Sequence, residues 1–156
     1  ANGALGDSDT ADIREQLIKN DKVEAIIILP RELFITTDIS VTLWILNQNK
    51  KGGEYHGRTL RNRENEILFM DLRQWTENPV KNEQKKKVKL IEEQINRASE
   101  IYHTWQNEGT DGKNYEVPEL YRSVSIEEIE QLCDFVAEEL SVDVPLHFSR
   151  AFPSMI

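Results

Sequence analysis

Cysteine, basic residues and long apolar runs are all scarce in this sequence. Cys133 is the single cysteine in 156 residues, which excludes an internal disulfide framework and a cysteine-built zinc site. No apolar run reaches the roughly 18 residues of a membrane-spanning helix, and no basic-then-apolar leader opens the chain. Basic residues number 19 against 28 acidic ones, which does not favour a free-standing nucleic-acid-binding protein. We therefore expect a cytoplasmic protein without a membrane segment.

The short motifs that mark common catalytic and cofactor sites are also missing. There is no P-loop, no G-x-G-x-x-G turn and no Pro-Pro pair. His56, His103 and His147 are too far apart in sequence to form a His-x-x-x-His metal pair. Cys133 falls on an apolar stripe, which is typical of a core thiol rather than a nucleophile. The residues alone therefore identify no catalytic residue and predict no metal site.

The overall composition of the chain is typical of a soluble globular domain. Hydrophobic residues make up 38% and charged residues 30% of the chain. A chain of this length buries roughly 70% of its unfolded surface, which is enough for a real core. This composition argues against wholesale disorder and against low-complexity classes.

Three apolar segments predict strands. Residues 23–29 are β-branched or apolar on both faces, the pattern of a strand buried in a sheet that helices cover. Residues 41–47 form a second strand, and the connection of about eleven residues between the two has no helical period. An antiparallel return is therefore expected. A third strand is predicted at 66–71, after a polar surface turn at 47–57.

Helical spacing of apolar residues predicts three helices. The first follows an N-cap at Asp9 or Thr10. The second is one long helix over residues 83–106, which begins in a lysine-rich segment. The third spans about 125–140, where Ser125 and a glutamate three residues later fit a capping box.

The composition changes after Trp75, and we divide the chain there. Residues 1–78 are predicted to form the α/β part, and residues 79–156 a helical C-terminal extension. The second part is the more acidic, and the segment from 123 to 149 carries acids and no base. That run is typical of a solvated helix face, and alternatively of a docking face for a basic partner.

Six segments in order carry a resemblance to a known family. They are residues 23–30 (VEAIIILP), 33–37 (LFITT), 40–47 (SVTLWILN), 67–73 (ILFMDLR), 102–106 (YHTWQ) and 125–129 (SIEEI). In this order they resemble the C-terminal part of the modification (methyltransferase) subunit of type I restriction–modification systems, which are N6-adenine DNA methylases. The resemblance covers roughly residues 1–132, and the tail beyond departs from the family pattern.

The resemblance implies a fold, a cofactor and partners. The family has a Rossmann-like sheet that binds S-adenosylmethionine, with its last strands antiparallel. Its Gly-containing cofactor loop and its Asn/Asp-Pro-Pro-aromatic catalytic loop lie upstream of the point where this chain begins. We therefore expect a fragment that is inactive alone and has no catalytic residues of its own. In the full-length protein the implied partners are DNA and the specificity and restriction subunits of a type I complex.

One implied site falls in the loop between the first two strands. In such methylases this loop approaches the target adenine, which is flipped out of the duplex. Phe34 is the candidate for stacking on that base, and Thr36 and Thr37 are candidates for DNA contact. The alternative for Phe34 is a place in the core under the sheet.

Two other functions remain open from the sequence. One is a non-catalytic interaction module, in which the apolar face of the long helix, with Val88, Ile95, Tyr102 and Trp105, docks on a DNA-specificity subunit. The other is an unrelated small α/β domain without catalysis. A severed half-domain is expected to expose the side of strand 23–29.

Overall fold

A computed structural model describes residues 11–34, 38–76, 79–82 and 85–131. The elements in chain order are α1 (Ala11–Lys19), β1 (Val23–Ile28), β2 (Thr42–Leu46), β3 (Gly53–Tyr55), β4 (Arg58–Leu60), β5 (Glu66–Asp71), β6 (Pro79–Asn82), β7 (Lys85–Val88), α2 (Glu92–Gln106), a 3-10 turn (Gly112–Asn114), β8 (Glu116–Val117) and β9 (Tyr121–Ser125). A further helix begins after β9, and its described part covers residues 126–131.

The central sheet has five strands in the order β2-β1-β5-β9-β8. β1 and β2 pair antiparallel, with Ile28 opposite Thr42, so the predicted antiparallel return is confirmed. β5 lies on the other side of β1 and runs parallel to it. The remaining pairs, β5 with β9 and β9 with β8, are antiparallel. The architecture is thus a mixed α/β fold with a mostly antiparallel sheet.

Both faces of this sheet are buried, because successive strand residues point to opposite sides. One face packs α1 and the helix that begins at residue 126 against alternate residues of β1 and β5, including Ile26, Ile67 and Phe69. The other face packs Trp105 of α2 against Ala25, Leu68 and Met70. This arrangement confirms that the segment at 23–29 is a strand covered on both sides.

The polar segment at 47–57 is more ordered than a surface turn. It contributes β3, which pairs antiparallel with β4 as a separate hairpin. The two turn residues are His56 and Gly57, with φ of 48° and 75°. Positive φ at both positions is the signature of the tight turn that matches strand twist, and glycine adopts it without steric cost.

The helix predicted over residues 83–106 begins later than expected. Residues 79–82 and 85–88 form the antiparallel strand pair β6–β7, and α2 starts at Glu92. Lysines three and four residues apart would repel each other on a helix. Glu92 and Glu93, in contrast, interact favourably with the positive end of the helix dipole at the observed start. The apolar residues at 88, 91 and 95 have helical spacing, and for this reason the sequence wrongly predicted an earlier start of the helix.

The capping box at Ser125 is confirmed. Its hydroxyl accepts from the Glu128 backbone N–H at 3.1 Å, and its own backbone N–H donates to the Glu128 carboxylate at 2.9 Å. The four residues before Ser125, however, belong to β9, which was not predicted. β9 belongs to the five-stranded sheet although it lies beyond residue 78, where we divided the chain into two parts. The division itself stays a prediction. Residues from 132 onward, Cys133 included, lie outside the described part.

In the described sheet β2 and β8 are the edge strands, and the strand at 23–29 is not an edge. β1 pairs on both sides, whereas β2 pairs on one side only within the described residues. Leu43 and Leu46 of β2 are 44% and 53% exposed. An edge strand with exposed leucines is the surface on which we now expect association of the isolated chain.

A buried carboxylate joins the sheet to α2. Glu24 in β1 is fully buried, and its Oε1 accepts from Arg63 Nε at 2.9 Å and from Gln106 Nε2 at 3.0 Å. The Asn47 amide, just after β2, donates to its other oxygen. Arg63 is also fully buried. Removing one partner of such a pair leaves the other charge buried and unpaired.

We expect Glu24→Ala to destabilise the protein by about 3–5 kcal/mol, because it leaves the Arg63 guanidinium buried and unpaired. Glu15→Ala is the matched control, since Glu15 pairs with Lys19 on the exposed face of α1. Denaturant-induced unfolding of both variants measures the difference. Equal losses of stability would show that the buried pair is not what holds α2 to the sheet.

Candidate functional site

The carboxyl ends of β1 and β5 meet at one edge of the sheet, because these two strands are parallel and Ile28 lies opposite Asp71. The Leu72 backbone N–H donates to the Ile28 carbonyl at 2.8 Å, so the strands stay joined where they end. In open α/β sheets, ligands bind beyond the carboxyl ends of parallel strands. The candidate site is therefore at this edge.

The loop after β1 is held at several points. The Leu29 N–H donates to the Val41 carbonyl at 2.9 Å, which closes the base of the loop. Arg31 Nε donates to the Asp38 carbonyl at 3.1 Å and spans the loop. Leu33 packs into the α2 side of the core. These contacts give the segment before Phe34 a fixed course over the sheet edge.

Phe34 is 42% exposed, so it is not the fully buried core residue of the alternative prediction. Its neighbour Leu33 supplies the core contact instead. Thr36 and Thr37 lie outside the described residues. A half-exposed aromatic ring at this edge is compatible with stacking on a planar group, and its role stays a prediction.

Beside this loop, the end of β5 carries an ion pair between the buried Asp71 and the partly exposed Arg73. Arg73 Nε donates to both Asp71 carboxylate oxygens, at 3.0 and 2.9 Å, and Nη2 donates to Oδ2 at 2.5 Å. Asp71 is buried, and its hydrogen bonds raise the pKa of Arg73. The Arg73 backbone N–H also donates to Asp71 Oδ1 at 3.0 Å, so Arg73 neutralises the charge of this carboxylate at the edge.

The β6–β7 hairpin adjoins the same loop. The Val88 backbone N–H donates to the Glu32 carbonyl at 3.2 Å, and the Val88 side chain is buried. Glu32 has φ of 61°, a left-handed conformation at the point of contact. Further along, Arg97 of α2 lies over the Trp75 ring at 5.8 Å.

The opposite end of the sheet contains a polar cleft of about 350 Å³. Asn47, Arg58, Tyr102 and His103 are among its lining residues. Arg58 donates to the His103 carbonyl at 3.0 Å and to the Asn107 side chain at 2.7 Å, so β4 is tied to the end of α2. Burial, and then the charge of Glu24, raises the pKa of Tyr102 to about 12. These groups bind one another, and we assign them a structural role.

Sequence reasoning missed the charged pairs at both ends of the sheet. Arg63 and Glu24 are 39 residues apart, and nothing local marks either as buried. Asp71 and Arg73 lie two residues apart in the quoted ILFMDLR segment. An acid directly after an apolar strand, followed by an arginine, was the available signal for that pair.

The described residues hold neither a metal-binding cluster nor a membrane-spanning helix. No group of three or more His, Cys, Asp or Glu side chains there is arranged to hold a metal ion. Within the same residues, no helix combines the length and apolar character needed to cross a membrane.

Comparison with known proteins identifies the family. Residues 1–142 match the family model described as N-6 DNA Methylase. The methylase subunit of the type I restriction enzyme HindI from Haemophilus influenzae is 31% identical over an alignment of 141 residues, which covers 87% of this chain and 27% of that protein. The MjaVII methylase subunit from Methanocaldococcus jannaschii is 29% identical over 96 residues, covering 61% of this chain and 15% of that protein. The chain thus spans about a quarter or less of the relatives it matches.

A solved structure agrees in fold. The crystal structure of the type I restriction-modification system methyltransferase subunit from Streptococcus thermophilus superposes with a TM-score of 0.50. The match covers 88% of this chain and 22% of that one, at 19% identity, and therefore bears on the fold alone. Since the family model covers most of its length, the chain belongs to the N-6 DNA methylase family.

Proposed function

We propose that this chain is the C-terminal part of a type I restriction–modification methylase subunit. The complete subunit transfers a methyl group from S-adenosylmethionine to the N6 amino group of adenine in DNA. The family match over residues 1–142 carries this proposal. The parallel strand pair supports it, because α/β sheets bind ligands beyond the carboxyl ends of such strands.

This chain does not fit a complete cofactor and catalytic site. The adenine amino group is a poor nucleophile, so carbonyl acceptors must orient it toward the methyl group. The Asn/Asp-Pro-Pro-aromatic loop that supplies them in the family is missing, since none of the five prolines is adjacent to another. The buried carboxylate at the edge, Asp71, is already bound by Arg73. We infer that the chain alone is inactive.

The role that we assign to this chain is contact with the target base. A flipped nucleobase packs between apolar or aromatic side chains. Phe34 offers a half-exposed ring, and the Leu29–Val41 hydrogen bond joins the two ends of its loop. Thr36 and Thr37 follow on the same loop and remain our candidates for DNA contact. No proton transfer is assigned to any of these residues; they position the base.

The wider assignment follows from the same proposal. The mixed sheet would be the last part of a Rossmann-like domain. We keep the division near residue 78, with a helical extension after it, as a proposal, although β8 and β9 of the sheet come from the second part. The partners would be DNA and the specificity and restriction subunits of a type I complex in the cytoplasm. Phe34 and its loop would meet the DNA, while the specificity subunit reads the sequence.

The second candidate function is a non-catalytic module that docks on a specificity subunit. Ile91 and Ile95, at the start of α2, are 38% and 53% exposed and favour it. Val88 and Trp105, however, are buried in the core of the chain, so the predicted helix face is available only in its first turns. The docking surface would therefore be smaller than expected and is compatible with the methylase assignment.

Titration calorimetry of the folded, purified chain with S-adenosylmethionine tests the division of labour. We expect no heat of binding, because the cofactor loop is not part of this chain. The complete subunit under the same conditions is the positive control. Micromolar binding by the chain alone would mean that it builds a cofactor site from residues considered structural here.

We expect Phe34→Ala in the complete subunit to lower kcat/KM for duplex DNA by roughly 5- to 150-fold. The reason is that base–aromatic stacking contributes about 1–3 kcal/mol. Transfer of radiolabelled methyl groups to DNA measures the rate, and calorimetry is expected to find cofactor affinity unchanged. Phe34→Tyr keeps the ring and should retain most activity. Unaltered turnover in Phe34→Ala would remove Phe34 from the site.

A further inference from the structure

The hairpin β6–β7 concentrates positive charge in an acidic chain. Residues 79–89 contain five lysines and one glutamate, whereas the whole chain has a net charge of −9. The methylase chemistry proposed above gives this charge no task. A local patch of the opposite sign to the rest of the protein indicates a specific anionic partner rather than general solubility.

The strand register brings like charges together. Lys81 lies opposite Lys86, and the other pairs are Pro79 with Val88, Val80 with Lys87 and Asn82 with Lys85. None of these register positions holds an acid. Like charges directly opposite each other destabilise a strand pair, and an isolated two-stranded hairpin is marginal in water. A polyanion bound along the hairpin would neutralise this repulsion.

The hairpin lies next to the loop of Phe34. Its last residue, Val88, is buried, and the Val88 N–H binds the Glu32 carbonyl two residues before Phe34. Lys89, directly after the hairpin, is exposed. The lysine-bearing strands are therefore joined to the loop of Phe34 by the Val88–Glu32 hydrogen bond.

We propose that β6–β7 binds the phosphate backbone of the DNA duplex beside the target base. This inference rests on the proposed function. Lysines act on phosphates as point charges without reading sequence, so the hairpin positions the duplex rather than selecting a site. A backbone held beside the flipped nucleotide keeps the base within reach of the Phe34 loop while the duplex is open.

The test removes the charge and follows the salt dependence of binding. The quadruple variant replaces Lys81, Lys85, Lys86 and Lys87 with Gln in the complete subunit, assembled with its partner subunits. Each lost phosphate contact lowers the slope of log K against log salt by about 0.9. We expect the slope to fall by about two to four for specific and non-specific duplexes alike, as measured by fluorescence anisotropy.

Two variants separate this role from general charge and from folding. The matched control removes the same charge from the opposite end of the fold, by changing to Gln the residues Lys19, Lys22, Lys51 and Lys113. It should leave the slope nearly unchanged. Arginine at the four hairpin positions should restore the wild-type slope, since it keeps the charge.

Three results would overturn the proposal. The first is an unchanged slope in the hairpin variant, and the second is an equal loss in the control. The third is failure of the variant to assemble with its partner subunits in size-exclusion chromatography, which would assign the hairpin to a protein partner. Methyl transfer by the wild-type complex is measured in parallel, and its absence would contradict the proposed function. The salt slope is a separate measurement, which reports on DNA binding by the hairpin whether or not methyl transfer occurs.

Discussion

Three separate segments of the chain converge on the buried carboxylate of Glu24. Its hydrogen bonds reach Arg63 before β5, Gln106 at the end of α2 and Asn47 after β2. An uncompensated charge at this depth is costly, so these segments must come together in one arrangement or not at all. Lys50 reinforces the same end, where its buried ammonium donates to the backbone carbonyls that begin β1 and β5, Val23 and Glu66.

The two ends of the sheet therefore have different tasks. At the amino ends of β1 and β5, charged and polar side chains bind one another and fix the strands in parallel register. At the carboxyl ends, the strands lead into the Phe34 loop and the Asp71–Arg73 pair, and the basic hairpin adjoins them. The amino ends thus hold the sheet together, while the carboxyl ends lead into the segments that surround the candidate site.

Sequence reasoning succeeded where the signal was local. The apolar run at 23–29 and the capping box at Ser125 depend on neighbouring residues, and both were found. The parallel pairing of β1 with β5 and the strand β9 depend on partners far along the chain, so no local pattern marks them. The hairpin β6–β7 was missed because its apolar residues share the spacing of the helix that follows. The exposure of Phe34 follows from Leu33 occupying the core, which only the structure resolves.

The most direct test of the central claim is a binding cycle between Phe34 and the target base. The complete complex, with Phe34 or with Phe34→Ala, is titrated with duplexes that carry either adenine or an abasic site at the target position. If the ring stacks on the flipped base, the substitution weakens binding to the adenine duplex by about 1–3 kcal/mol and leaves the abasic duplex unaffected. An equal loss on both duplexes would contradict the account, because the ring would then act without contact to the base.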